Sequence, residues 1–361
     1  DCDGVVDNGS LLPTAAINLG VTTGVAHPAA TLNKMGDLGI IWTRSQKEIW
    51  FTLRDRDGNT IPPIPWIENQ VASSDSSAGA WAVDALSLQQ NSFTDFWSAW
   101  TERSYGSQKI QVSTVRQDWG NPSADPLGNG PSAHPITAAK PGVNENEYGL
   151  VFENGSPPDI YFSRHTAVSR VGGCQISSNA GASTRPQVVW NGATWVVVWN
   201  DTTTIAAGEW RYAIVPDNGS AVTSNGSLGA GSGDFSLVAG PNGTVAMASA
   251  ENGQTVLRRF DSTMSALGST EIVATSPHGF SLSWTGVEYG LAWSSGSPGD
   301  VWLARVGPEG QLGAVVNATN SLGDSEEPSV VWSSGDWLIV YVDDTSSGRA
   351  LFLTKVTRNC L

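Results

Sequence analysis

One phrase recurs along this chain, and its spacing limits the fold more than any other feature. It is clearest in RPQVVWNGATWVVVWNDTTT (185–204): an apolar run, a turn at Asn191-Gly192, a second apolar run ending at Trp199, then an acidic loop. Asn-Gly between apolar runs marks a hairpin, because both residues accept the positive φ of a tight turn. HGFSLSWTGVEYGLAWSSGSPGD (278–300) and EPSVVWSSGDWLIVYVDDTSSGR (327–349) repeat the phrase. DFSLVAGPNGTVAMASAENGQ (234–254) repeats it without aromatics, and longer variants open at His27, Asp84 and His134. The last large residue of the second run, or its small replacement, gives anchors at Trp42, Trp100, Phe152, Trp199, Ala248, Trp293 and Tyr341. The intervals are 58, 52, 47, 49, 45 and 48 residues.

That interval holds four short strands, which is the repeat length of a β-propeller blade. A third strand follows each acidic loop (EIWFTLRD, DIYFSRHT, EWRYAIVP, DVWLARVG), and a fourth follows in most units. The last unit stops after its third strand, at KVTRNCL. TAAINLG (14–20) has the pattern to supply the missing strand and so remove an open sheet edge. The expected fold is all-β, a seven-bladed β-propeller of four-stranded blades closed by an N-terminal strand. Residues 1–13 are expected to be a linker, and 14–361 a single propeller. Closure would bring Cys2 and Cys360 together as a disulfide latch, worth about 4–5 kcal/mol in the chain-entropy model. Cys2 with Cys174 is the alternative pairing.

The chain carries a formal charge of -15, with a pI near 4.5. Such a surface repels polyanions, which argues against a nucleic-acid partner. Cations and neutral ligands are easier to accommodate. Even the apolar run WVVVW (195–199) is broken at once by Asn and Asp, so no membrane span is expected. The motifs of serine hydrolases, zinc proteases and P-loop enzymes are absent.

VVWNGATWVVVWND resembles the repeats of secreted bacterial propeller proteins, in which a W-N-G turn precedes a strand ending in W-x-D. The resemblance covers nearly the whole chain. It implies a secreted or cell-surface location and a monomer, and it leaves function open, since propellers host binding modules, hydrolases and lyases. DCDGVVDNG (1–9) resembles the aspartate-rich metal-binding motifs of bacterial surface proteins, those of MopE-type copper-binding proteins among them. It implies a stalk remnant or processing junction, with Asp1, Asp3 and Asp7 as calcium ligands. SSDSSAGAW (73–81) resembles a sialidase Asp-box but differs in spacing.

In a propeller the first strand of each blade lines the central channel, and these strands all start on one face. Aligning the repeats sets His27, Asp84, His134, Arg185, Asp234, Gly279 and Glu327 in one column, with His278 one residue before it. Loops after the second strands add Glu102, Glu153, Asp201, Glu251, Asp343 and Asp344. Three histidines at one mouth predict a divalent-metal site at His27, His134 and His278, for copper or zinc. Arg185, Asp84, Asp234 and Glu327 predict a pocket for a surface glycan or small ligand. The expected function is a binding module rather than an enzyme. The alternatives are an extracellular copper- or zinc-binding protein and a polysaccharide hydrolase or lyase on the same face. The residue before each proline is expected to be extended. The repeat tryptophans are expected to pack between blades. Trp66, Trp81, Trp97, Trp119 and Trp210 fall outside the pattern, and exposed ones among them are candidates to stack on sugar rings.

Overall fold

The computed structural model describes residues 11–22, 24–45, 48–61, 69–73, 82–90, 96–104, 107–115, 125–127, 131–141, 147–166, 169–178, 180–272 and 274–358. Cys2, Cys360, Asp1, Asp3, Asp7, Trp66, Trp81 and Trp119 lie outside them, as does nearly all of the Asp-box-like segment.

The chain is an all-β propeller of four-stranded antiparallel blades. Among the described residues, six four-stranded sheets follow one another in sequence. Their inner strands are Val25–Leu32, Ala82–Gln90, Ser132–Ala139, Ser183–Trp190, Phe235–Ala239 and His278–Trp284, taken as blades one to six. Each inner strand runs antiparallel to the next strand of its own sheet and touches the inner strands of the neighbouring blades.

The expectation of seven four-stranded blades is corrected here to six among the described residues. Six sheets have that form, and the sheet that closes the circle has five strands. It is built from Ser325–Ser333, Asp336–Thr345 and Gly348–Arg358, with Leu11–Pro13 and Ile17–Thr22 both lying along Gly348–Arg358. The N-terminal chain makes two strands instead of one because residues 14–16 leave the ladder. Thr14 N–H still donates to Lys355 O at 2.8 Å. Leu11 pairs with Arg358, so the first and last described segments share one outer edge.

Two repeated contacts hold blade to blade. In the first, an inner-strand serine hydroxyl accepts a backbone N–H from the next inner strand. Ser236 takes Leu282 N–H at 3.2 Å, Ser281 takes Val330 N–H at 3.0 Å, and Ser329 takes Ala30 N–H at 2.9 Å. In the second, a ring at the start of a second strand enters the preceding blade. Trp195 and Trp337 are fully buried, and each also packs on a tryptophan at the end of its own inner strand or one residue before it, Trp190 at 4.9 Å and Trp332 at 4.7 Å. The preceding blade makes room with glycine. A Cβ on Gly149 would stand 2.8 Å from Trp195, and one on Gly290 would stand 2.3 Å from Trp337. The tryptophans thus pack between blades, as their size dictates. Trp97 and Trp210 are buried, so neither is among the exposed tryptophans that could stack on a sugar ring.

Cys174 is free and partly buried in the outer strand of blade three. No helix among the described residues is long and apolar enough to cross a membrane.

Candidate functional site at the channel mouth

In six of the seven sheets the aligned column falls at a β-bulge. In blade one, pairing skips from Ala26 to Ala29, so His27 and Pro28 together oppose Trp42. Likewise His134 and Pro135 oppose Phe152, Arg185 and Pro186 oppose Trp199, Gly279 and Phe280 oppose Trp293, and Glu327 and Pro328 oppose Tyr341. Blade two is bulged between Asp84 and Leu86. In the other five sheets the anchor residue of the repeat is therefore the residue facing the bulge.

These bulges place their first residue in left-handed backbone, which favours glycine. Blade six has Gly279 there, at φ +61. Elsewhere the residue is His27 (φ 53), His134 (φ 49), Arg185 (φ 54) or Glu327 (φ 55). This corrects the expectation of an extended residue before each proline. The proline has another physical role. A bulge takes its residues out of the ladder, and proline brings no N–H that would then lack an acceptor. Pro135, Pro186 and Pro328 are buried.

The N–H of the left-handed residue is accepted by a side chain of the preceding sheet. Thr101 Oγ1 accepts from His134 at 3.1 Å and Glu153 Oε1 from Arg185 at 2.7 Å. Glu327 Oε2 accepts from His27 at 2.5 Å. In blade five Asn200 Oδ1 accepts from Gly233, beside Asp234, at 3.0 Å.

The side chains gather in two groups. In one, His134 Nδ1 lies 2.7 Å from the buried Glu153 carboxylate, and Arg185 pairs with Asp234. In the other, Arg349 lies 2.8 Å from Glu326, 3.4 Å from Asp344 and 4.0 Å from Glu327. His278 Nε2 stands 3.9 Å from Glu326, and His27 Nδ1 stands 3.9 Å from Glu327. His278 Nδ1 donates to Ser276 O at 3.0 Å, because a carbonyl can only accept. The ring nitrogen facing Glu326 is thereby identified as Nε2, and Ser276 is itself left-handed, at φ 49. Below the mouth, the inner strands enclose a channel of about 600 Å³, walled by residues such as Ala30, Ile136, Val188, Leu237 and Val330.

Two acids named from sequence are structural. Burial pushes Asp201 up, but hydrogen bonds from Thr203, Trp199 and Ser183 outweigh it and leave the carboxyl below its usual range. Asp343 is raised, first by burial and then by its neighbours Asp344 and Asp300, against a hydrogen bond from Ser321. Glu251 is taken up by Arg258 at 2.6 Å, away from the channel. Nothing is described of the Asp84 and Glu102 side chains. His165 sits at the far end of blade three, buried and stacked on Tyr148 at 4.9 Å.

His27 and His134 stand in the expected column and His278 one residue before it, yet each faces a different carboxylate. Among the described residues no group of three or more His, Cys, Asp and Glu side chains is arranged to hold a metal ion. Sequence reasoning missed Arg349 and Glu326. Glu326 is the neighbour of a column residue, and Arg349 opens the third strand straight after an acidic turn, so register alone could have flagged both.

No protein-family model matches the chain, and no curated protein matches it. Solved structures do. An α-L-arabinofuranosidase of Fusarium graminearum in complex with an iminosugar inhibitor is 9% identical, with a TM-score of 0.55 over 96% of this chain and 98% of that one. A prolyl endopeptidase is 12% identical, with a TM-score of 0.56 over 95% of this chain and 51% of that one. The sialidase of Trypanosoma rangeli in complex with sialic acid is 9% identical, with a TM-score of 0.51 over 96% of this chain and 59% of that one. At such identities the likeness is one of fold.

Proposed function

We propose that this propeller binds carbohydrate at the channel mouth. The observation that carries the reading is the set of four non-glycine residues in left-handed backbone, His27, His134, Arg185 and Glu327, at equivalent bulges around one opening. Each such residue costs about 1–2 kcal/mol relative to an ordinary conformation. Strain of this kind persists where surrounding structure enforces it, and it concentrates at binding and catalytic sites. The side chains it presents suit a polyhydroxylated ligand. Carboxylates accept from hydroxyl groups, while guanidinium and imidazole N–H groups donate. A secreted or cell-surface location goes with this reading. Two of the structural neighbours, the arabinofuranosidase and the sialidase, hold an iminosugar and sialic acid on propeller-like folds, which supports the choice of ligand class.

A second reading, hydrolysis of the bound glycan, is favoured by Glu326 and Glu327 standing together beside Arg349, since glycoside cleavage uses paired carboxylates.

Isothermal titration against a panel of neutral, amino and acidic oligosaccharides tests both. The expected result is saturable binding that weakens at least tenfold in Arg349→Ala and in His134→Ala, with both variants melting as folded proteins. Release of reducing ends would establish the second reading. Absence of binding to every member of the panel would overturn the first.

A further inference from the structure

The charge at the mouth narrows the ligand class. The carboxylates paired there include Glu153, Asp234, Glu326, Glu327 and Asp344. The guanidinium groups paired with them are Arg185 and Arg349. The imbalance is concentrated where blade six, the closing sheet and blade one meet. One guanidinium, Arg349, stands there among three carboxylates, and two imidazoles flank the group at 3.9 Å.

The backbone explains how two adjacent glutamates serve one opening. In a regular strand, neighbouring side chains point to opposite faces. The bulge that begins at Glu326 re-aims Glu327, and both carboxylates reach Arg349. Both stay about one-third exposed, as does Arg349, so the group opens to solvent. Blade six shows that the fold accepts glycine at this bulge position, yet the closing sheet keeps a strained glutamate there.

We propose, building on the carbohydrate-binding reading, that the preferred ligand is a glycan bearing free amino groups, such as an oligomer of glucosamine. Its ammonium group supplies the positive charge that Glu326, Glu327 and Asp344 lack. Its hydroxyls meet the imidazoles of His27 and His278. An anionic glycan would bring charge of the wrong sign to the mouth and to a chain of formal charge -15. N-Acetylation removes the positive charge and keeps the ring hydroxyls, so a matched pair of oligosaccharides isolates the charge term.

The test is titration of the full chain with glucosamine oligomers, N-acetylglucosamine oligomers of equal length, and an oligolysine of equal charge. The amino oligomer is expected to bind at least tenfold more tightly than its N-acetylated partner at low salt. That margin should shrink as salt rises, because the attraction is between exposed charges. Glu326→Gln and Glu327→Gln should each erase most of it, read as the ratio of the two oligomers' affinities within the same variant. Glutamine retains a carbonyl oxygen for the His27 N–H, so Glu327→Gln can keep the fold. Equal binding of both oligosaccharides would overturn the amino-sugar preference and leave the carbohydrate reading standing. Oligolysine binding as tightly as the amino oligomer would also overturn it, since the mouth would then read charge without sugar. Binding of none of the three, with silence across the wider panel, would remove the carbohydrate reading itself.

Discussion

Two residues show how position decides the role of histidine in this chain. His134 was legible as a mouth residue because the repeat register places it in the column of His27. Its left-handed backbone was not legible, because proline biases the preceding residue toward extended conformations and only the bulge overrides that bias. The strain makes a prediction opposite in sign for folding and for binding. Arg185→Gly should leave stability unchanged or raise it by up to about 1 kcal/mol, since relief of strain outweighs the entropy glycine brings to the unfolded chain. The same variant should lose ligand affinity. Denaturant unfolding and titration calorimetry on one preparation check both, and a clear loss of stability would mean the bulge is not strained. His165 illustrates the buried case. Burial holds its pKa down at about 4, and nearby Arg170 adds to this. Its neutral form therefore stabilises the fold fully above the unfolded value near 6.5. That contribution is lost as pH falls from 6.5 through 4, because the unfolded chain takes up the proton first. Relative to His165→Gln, the wild-type unfolding free energy should drop by on the order of 3 kcal/mol across this window. Parallel pH profiles of the two proteins would show it.

At the scale of elements, the repeat was legible where packing demands a fixed residue type. The aromatic at the start of the second strand recurs as Tyr148, Trp195, Tyr289 and Trp337 because each ring must fill a gap between sheets. The glycines that receive Trp195 and Trp337 were visible in the sequence but carried no message there, since a glycine in a strand has several explanations. The structure supplies one. Gly290 faces Trp337 so closely that an alanine Cβ would lie 2.3 Å from the ring, and that ring has no exposed surface into which to move. Gly290→Ala should therefore cost about 2–3 kcal/mol through overpacking. Gly286→Ala, in an open turn with nothing near its Cβ, should pay only the penalty of its positive φ. Chemical denaturation of the pair separates steric conflict from backbone conformation. If Gly290→Ala costs no more than Gly286→Ala, the interlocking of blade six with the closing sheet is looser than the geometry implies.

At the scale of the whole molecule, closure by the N-terminal chain was readable because the last repeat visibly lacks a strand. The division of that strand into two was not, because a short departure of three residues from a ladder has no compositional mark. Arg349 escaped for a related reason: its relevance comes from which sheets meet at the mouth, a property of the closed circle rather than of any repeat. Closure also carries the clearest global prediction. Leu11–Pro13 and Ile17–Thr22 cover the outer edge of Gly348–Arg358, and Leu11 and Leu19 bury their side chains there. Deleting residues 1–22 would uncover the backbone N–H and C=O groups along that edge and remove two apolar anchors, each worth about 1.5–3 kcal/mol when fully buried. The truncated chain should melt several degrees lower and self-associate through its open edge. Light scattering and thermal melts at several concentrations would detect both effects. A synthetic peptide of residues 11–22 should reverse the self-association and restore part of the stability, because it can re-form the missing ladder. A truncated chain with unchanged association and an unchanged melting temperature would mean that the circle holds without its N-terminal strands, and that contacts between inner strands carry closure alone.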